Sequence, residues 1–554
     1  MKAPAAPAPM PPEHRKVIAA AGLGALFEWY DFYLYGVLAP VLAATFFAQS
    51  GEGAAVLSTL LGFAAGFVVR PVGALLFGRL GDLIGRKYTF LYTLVLMGAA
   101  TFAIGLLPGF QTIGVAAPVA LIGLRLLQGL AIGGEYGGVA TYVAEHAPDG
   151  RRGFYTGWIQ ATASLGLLLA LLVVVGTRHA LGEEAFVAWG WRLPFLLSAV
   201  LLGLGIWIRL SLHESPMYRR LKQSGGATRS PLTEAFGRWR NLRWALVALF
   251  GLVAGQAVVW YTGQFQALFF MTLQLKVEPA TASLLLCAAL ALAAPLFVGF
   301  GALSDRVGRK PIVLGGMVLA ALSTLPLFEA LTHAANPALA QAQARTVAAL
   351  HADPAACGRL FDLMLSAPPR SACELAQRRL SDRAVRFTRV DASGPGAVLR
   401  IGGRTVELAQ GDVADGGAGA ERRLAEAIDA AGYPARADPA RIDHPRVVAI
   451  LLALMALVAM VYGPIAAALV ELFPTRIRCS ALSLPYHIGN GWFGGLLPGT
   501  AFALAAHGGD PLAGLWYGIA VALASAAIGM LCLPETRGRD LEAIGGDAPN
   551  DAGT

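Results

Sequence analysis

Charge is what this chain lacks first. Only 14% of its 554 residues are Asp, Glu, Lys or Arg, against 56% hydrophobic, whereas soluble domains carry about a quarter charged residues. With a mean hydropathy of +0.59 over that length, the shortage excludes an ordinary soluble domain and points to a membrane protein. Cysteine is scarce as well. No two of Cys287, Cys357, Cys373, Cys479 and Cys532 form a CxxC pair, so the usual zinc and redox motifs are missing and neither metal nor cofactor is expected. There is no P-loop, no HExxH and no nucleophile elbow, which leaves no sign of direct ATP use or of an enzyme. A cleavable leader is missing too. MKAPAAPAPMPPEHRK lacks a short apolar core closed by small residues, and the apolar stretch after it is long and carries acids, so it reads as an uncleaved first span. The net charge of +8 comes with no basic, aromatic-interleaved face, so nucleic acid is not an expected partner.

What the chain has is apolar segments of spanning length. A spanning helix needs about 20 mostly apolar residues. Twelve segments qualify: about 18–46, 55–78, 88–108, 114–145, 153–176, 189–211, 244–272, 280–303, 311–332, 446–470, 480–506 and 512–533. Lysine and arginine orient them. With the N-terminus inside, the inner stretches hold 23 and the short outer loops three, Arg178, Arg192 and Lys276. By the positive-inside rule both termini are cytoplasmic, in a multi-pass protein of the bacterial inner membrane.

One outer loop stands apart. Residues 333–445 are rich in both arginine and acids, and long loops are exempt from the charge rule. They read as a small exported α/β domain between segments 9 and 10. QAQARTVAALHA and AERRLAEAIDAAG are helix-like; AVRFTRVDA and AVLRIGGRTVELA alternate like strands. Cys357 and Cys373 both lie here, where a bridge is compatible with an oxidising compartment but not required.

The chain repeats itself. GRLGDLIGRK at 78–87 returns as GALSDRVGRK at 301–310, both fitting G-x-L-x-D-x-x-G-R-K at an offset of 223; EHAPDGRR at 145–152 is echoed by ELFPTRIR at 471–478, offset 326. The offsets differ by 103 residues, close to the length of the inserted domain. The expected architecture is therefore all-α and membrane-integral, with two six-helix halves. Its parts are a cytoplasmic tail (1–17), the first half (18–211), a central cytoplasmic loop (212–243), helices 7–9 (244–332), the inserted periplasmic domain (333–445), helices 10–12 (446–533) and a second cytoplasmic tail (534–554). Parallel halves with a site between them at the midplane are a transporter architecture. In the loop motif, Asp82 and Asp305 end helices beside basic turns. Each is expected to anchor a neighbouring helix end, with Arg86 and Arg309 in the same gate, closing one side in one state and releasing it in the other.

These residues carry a resemblance. The repeated loop motif resembles the signature of the major facilitator superfamily, and RLLQGLAIGG at 125–134 its fourth-helix motif. EWYDFYLYG at 28–36, GGEYGG at 133–138, RRGFYTG at 151–157, HESPMY at 213–218, ELFPTRIR and LPET at 533–536 together are similar to its metabolite:proton symporter branch. The resemblance covers about 15–332 and 446–540. It implies a carrier for organic acids such as 2-oxoglutarate, citrate or shikimate, or for zwitterions such as proline and betaine, working as a monomer.

Charges at membrane depth are costly and mark function. Glu28, Asp31, Arg70, Arg125 and Glu135 all fall in the first half. Counting about 1.5 Å per residue places Glu28, Arg70 and Glu135 in one layer nearer the cytoplasm, and Asp31 with Arg125 in a deeper one. Asp31 is the first choice for the coupled proton, with Glu28 and Glu135 behind it, and Arg70 is placed with the gate. Arg125 offers a planar fork for a carboxylate. Gln128, Tyr35, Gln256, Gln264, Tyr462 and Asn490 complete the expected binding set, although a lone helix Gln or Tyr equally serves as inter-helix glue. The function expected is proton-coupled uptake of a small metabolite, an organic acid in the first place. The alternatives are an uncoupled facilitator or exchanger of the same fold, and a transporter-like sensor.

Overall fold

The computed structural model describes residues 12–47, 62, 65–210, 214–224, 228–357, 369–394, 396–414, 417–541 and 544, and of 12–18, Arg86 and Pro216 the backbone alone. Because the apolar segments are hydrophobic all round, each satisfies its backbone within a helix, as residence in hydrocarbon requires. Among the described residues nine helices are long and apolar enough to cross a membrane. They are α3 (Arg86–Leu106), α4 (Ala116–His146), α5 (Arg152–Leu181), α6 (Arg192–Leu210), α7 (Trp239–Gln274), α8 (Pro279–Val307), α9 (Arg309–Ala335), α10 (His444–Val470) and α12 (Leu515–Cys532).

The remaining three expected segments differ for identifiable reasons. Segment 1 is α1, Pro12–Val37 continued by Ala39–Phe46, and Glu28, Asp31 and its tyrosines make it more polar than the nine. Much of segment 2 lies outside the described residues, and its helix α2 is Arg70–Leu83. Segment 11 is α11, which runs Arg478–Ile488, opens into a π-turn at Gly489–Gly494 and resumes at Leu497–Gly508. Helix α7 likewise alternates α turns with π-turns at Leu249–Val253, Thr262–Gln266 and Phe270–Gln274. Such bulges cluster at functional sites.

The halves meet through two helix pairs, α2 on α11 and α5 on α8. The repeat offsets map α2 onto α8 and α5 onto α11, so one pair is the pseudo-symmetric image of the other. Within the first half α4 packs on α2 at backbone distance. A Cβ on Gly133 would sit 2.3 Å from the Arg70 carbonyl oxygen, and one on Gly129 2.0 Å from that of Gly66. Small residues are what permits such an approach.

The inserted residues build a four-stranded sheet, β1 (Ala348–Ala352), β2 (Phe387–Asp391), β3 (Ala397–Ile401) and β4 (Arg404–Leu408), in the order β2-β1-β3-β4. β1 and β2 are parallel, joined through helix Ala372–Asp382, and the other pairs are antiparallel. Gly402 and Gly403, at φ 56° and 77°, make the tight β3–β4 turn, where left-handed backbone matches the strand twist. QAQARTVAALHA corrects the expectation: its first part ends helix Pro337–Arg345, and its last residues form β1. Alternate burial along Ala348–Ala352, between two partner strands, overrides the helix propensity of the alanines. Cys357 and Cys373 are bonded, with Sγ atoms 2.02 Å apart. The domain sits on the second half. Phe387 donates its N–H to the Gly509 carbonyl at 2.9 Å, and Ala437 to that of Lys276 at 3.1 Å.

Replacing Gly133 by leucine forces α4 and α2 apart at a backbone contact. The expected outcome is a loss of roughly 1–3 kcal/mol or more, read as a lower melting temperature and poorer monodispersity of the detergent-purified protein, whereas Gly123→Leu, where a Cβ meets open space, leaves both unchanged.

Candidate functional site

At the end bearing the repeated loops, each aspartate of the motif crosses to the other half and caps a helix. Asp82 Oδ2 accepts from Ser480 N at 2.9 Å and Ser480 Oγ at 2.7 Å, and its Oδ1 from Cys479 N at 3.2 Å, at the start of α11. Asp305 accepts from Gly153 N and Phe154 N, both at 2.8 Å, at the start of α5. A carboxylate at a helix N-terminus meets unsatisfied N–H groups and the positive end of the macrodipole. Beside each cap stands a buried ion pair between halves. Glu145 of α4 meets Arg478 of α11 at 2.9 Å, and Glu471 after α10 lies 3.7 Å from Arg152 of α5. Glu145 maps to Glu471 and Arg152 to Arg478 at the offset of 326, so these pairs too are images of each other. Arg309 ties the second set together, 2.7 Å from Asp305 and 3.1 Å from Glu471. The Arg86 side chain lies outside the described residues.

The loop glycines serve this end as well. Gly85 and Gly308 sit at φ 112° and 120°, and each backs onto a carboxylate, Glu214 and Glu535 respectively. Glu535 accepts from Arg309 N at 2.9 Å and Lys310 N at 3.1 Å, and Glu214 from Lys87 N at 3.3 Å. Partial burial raises the Glu535 carboxyl, but the backbone N–H groups outweigh it and hold the group below its ordinary value.

Deeper in, the ionic layer differs from the one expected. Glu28 and Glu135 do come together, but their cation is Arg209 of α6, 2.7 Å from Glu28 and 3.5 Å from Glu135, all three side chains buried. Arg209 stands at the inner end of its helix and looks like one more loop charge in sequence. Its long side chain carries the guanidinium inward to Glu28 and Glu135, the reverse of the usual reach towards water.

Arg70 lies elsewhere. It is fully buried among the rings of Trp29, Phe32 and Phe67, its Cζ 5.5, 4.9 and 5.0 Å from their centroids. Tyr33, Tyr261, Tyr462 and His487 stand within electrostatic reach. Among the described residues no carboxylate pairs with Arg70, and the Tyr261 hydroxyl is the polar side-chain group closest to bonding it. Arg125 is engaged. It donates to the Phe32 carbonyl and to Gln128 Oε1, both at 3.0 Å, and its Cζ lies 3.9 Å from the Phe32 ring centre and 4.8 Å from that of Tyr35. Gln128 in turn donates to Thr101 at 2.7 Å. The expected Asp31–Arg125 pair does not form within ion-pairing distance. Asp31 is buried, and its Oδ1 has no hydrogen-bond partner.

The second half faces this centre with aromatic and amide groups. Trp260 stacks on Tyr33 at 5.9 Å and Tyr261 meets Phe67 edge-on at 5.6 Å. Gln256 and Asn490 face each other at 3.4 Å. Gln264 donates to Ser164 of the first half at 2.8 Å. Tyr462 and Tyr486 share a hydrogen bond of 2.7 Å, and Gln160 joins Tyr136 to the Tyr462 carbonyl at 3.0 Å each. The π-turn of α11 makes the approach possible, since a Cβ on Gly494 would lie 2.4 Å from the Tyr261 ring.

A family model described as "Sugar (and other) transporter" matches residues 16–234 and 440–547, on either side of α7–α9 and the inserted domain. The "Alpha-ketoglutarate permease" of Escherichia coli (strain K12) is 38% identical over 322 residues, 58% of this chain and 72% of that one. The "Glycine betaine/proline/ectoine/pipecolic acid transporter OusA" of Dickeya dadantii (strain 3937) is 36% identical over 323 residues, 57% of this chain and 64% of that one. The chain belongs to the metabolite:proton symporter branch of the major facilitator superfamily. In fold it superposes on the proton:xylose symporter XylE bound to 6-bromo-6-deoxy-D-glucose with a TM-score of 0.57 at 16% identity, over 96% of this chain and 98% of that one.

It is therefore a membrane transporter and not an enzyme. Several of the site's members escape a reading of the sequence. Arg209, Gln160 and Tyr486 carry no motif that singles them out, and Tyr136 lies in GGEYGG, where only Glu135 drew attention. Glu145, Arg152, Glu471 and Arg478 were visible in the echo at offset 326, which marked them as equivalents without showing that they pair across halves.

Removing one partner of a buried pair leaves an uncompensated charge and costs about 3–5 kcal/mol. Arg478→Ala is expected to lower the melting temperature sharply, and adding Glu145→Gln to restore part of the loss, as read by thermal unfolding of the two variants side by side.

Proposed function

We propose that this chain is a proton-coupled symporter that takes up a small organic anion across the inner membrane, with both termini cytoplasmic and the inserted domain in the periplasm. The observation that carries the reading is Arg70, a buried guanidinium between the halves with no anionic partner of its own among the described residues. A charge left unpaired in low dielectric is costly, and a carboxylate arriving between the halves would remove that cost through bidentate hydrogen bonds. The aromatic walls suit the carbon body of such a substrate. Arg125, already bonded to Phe32 and Gln128, acts as the support that fixes the helix-1 face of the site.

Asp31 remains the choice for the coupled proton. It is buried and pairs with no cation among the described residues, and a bound proton removes the cost of its charge. Glu28 and Glu135 share a single guanidinium, Arg209, so this layer is the second place where one proton balances the charge. Substrate on Arg70 and proton on Asp31 together neutralise the centre, which allows the halves to rock with the site loaded. The relatives' names support carboxylates and zwitterions alike; the uncompensated cation favours the anion.

The test is uptake of radiolabelled 2-oxoglutarate, citrate and glycine betaine into proteoliposomes with an outside-acid gradient. Wild type is expected to accumulate one of the carboxylates above equilibrium. Arg70→Gln loses the charge-assisted bonds, each about 1.5–3 kcal/mol, and uptake falls about 10- to 100-fold. Asp31→Asn keeps counterflow exchange and loses accumulation. Accumulation that survives Asp31→Asn unchanged removes Asp31 from the mechanism, and betaine accumulation with Arg70→Gln unimpaired removes the anion reading.

A further inference from the structure

A second cavity lies away from the central site, between the inserted domain and the loop joining α7 to α8. Its volume is about 1250 Å³, larger than the roughly 300–1,000 Å³ of common small-molecule pockets. Val277, Pro279, Ile428 and Pro439 give it apolar surface, and eight charged side chains line the rest.

Those charges do not cancel. Five are basic and three acidic, and every acid is already engaged. Glu278 caps α8, accepting from Ala280 N at 2.9 Å, Thr281 N at 2.7 Å and Thr281 Oγ at 2.8 Å. Glu421 pairs with Arg379, and Asp382 stands 4.0 Å from the same arginine. Arg383 pairs with Asp429 and donates to the Tyr433 carbonyl. Lys276, Arg422 and Arg436 are left: among the described residues none of the three reaches a carboxylate at ion-pairing distance, Asp382 acting on Lys276 only from further off. They converge on one cavity from three parts of the chain, the α7–α8 loop, helix Ala418–Ala430 and the segment that returns to α10.

The backbone is arranged to put Lys276 there. Lys276 is at φ 57°, in the left-handed region that a residue with a side chain rarely adopts. Its carbonyl is held by Ala437 N–H at 3.1 Å, from the residue next to Arg436. Partial burial holds the Lys276 ammonium below its ordinary value, with Asp382 opposing the shift and Arg383 adding to it, and a further anion in the cavity would favour the charged form.

We infer that this cavity is a second binding site, taking a small organic di- or tricarboxylate on Lys276, Arg422 and Arg436. The inference rests on the organic-anion reading above for the identity of the ligand class, and on the cavity for its place. Because the site is roofed by the inserted domain and floored by the end of α7, which also carries Gln256, Tyr261 and Gln264, an anion held there stands at the outer end of a helix that lines the central site. The inserted domain thereby acquires a role, capture of substrate before it enters the path between the halves.

The experiment is isothermal titration of the purified full-length protein with citrate and succinate, with glycine betaine, whose carboxylate is balanced by its own quaternary ammonium, as the net-neutral control. Arg70→Gln is the background that silences the central site. In that background one saturable citrate site is expected to remain. It weakens at least about tenfold in Arg422→Gln/Arg436→Gln and disappears when Lys276→Ala is added, while Arg404→Ala, an exposed arginine on β4 outside the cavity, leaves it intact. Exposed side chains are replaced in the double variant, and an unchanged melting temperature without ligand shows that it folds. Absence of saturable citrate binding in Arg70→Gln, or an affinity equal in wild-type and substituted cavities, overturns the inference. The two readings fail separately: a chain that binds citrate in the cavity yet accumulates no carboxylate keeps the cavity site and loses the transport assignment.

Discussion

Two carboxylates, each ending a helix in one half and capping a helix in the other, hold one end of this protein closed. Asp82 on α11 and Asp305 on α5 join a charge to a helix dipole, and Arg309 braces the second cap through its ion pair with Asp305. They can exist only where the two halves touch. The buried pairs Glu145–Arg478 and Arg152–Glu471 lie beside them and have the same property. Each of these contacts spans the two halves, so separating the halves at this end would break all of them together.

The centre is built on the opposite principle. There the charges are left partly unsatisfied by the protein itself. Among the described residues Arg70 has aromatic walls and no anion, Asp31 has no cation, and Glu28 and Glu135 share Arg209. The loop-motif end is thus paired across the halves, while the centre keeps charges that the described residues leave without a counter-charge. The π-turns in α7 and α11 fall where these helices reach the centre, and the missing side chains at Gly491 and Gly494 let α11 come up to Phe67 and Tyr261.

Much of this was legible from the residues. Hydropathy located the nine apolar helices found among the described residues, and the repeat at 223 made Asp82 and Asp305 equivalent positions. Counting about 1.5 Å per residue put Glu28 and Glu135 at one level, and the two side chains do meet, at Arg209. What depth cannot give is the direction a side chain faces around the helix axis, and so Glu28 and Glu135 found each other while Arg70 turned to the aromatic side. Arg209 was hidden because its Cα lies at a helix end and its charge does not. The bond between Cys357 and Cys373 and the strand hidden in QAQARTVAALHA depend on the folding of the inserted domain, where pairing between distant strands outweighs local propensity.

The account stands on the aspartate caps keeping the loop-motif end shut, and distance measurement by electron spin resonance tests it most directly. Spin labels at Ile84, after α2, and Val307, at the end of α8, report the separation of the halves at that end; both positions are exposed. They would be placed in a background whose Cys287, Cys479 and Cys532 are replaced. The prediction is one dominant short separation in the ligand-free protein, and a population shifted to longer separation in Asp82→Ala/Asp305→Ala. A distribution that stays the same after both caps are removed would contradict the account, because the end would then be held by something other than the two carboxylates.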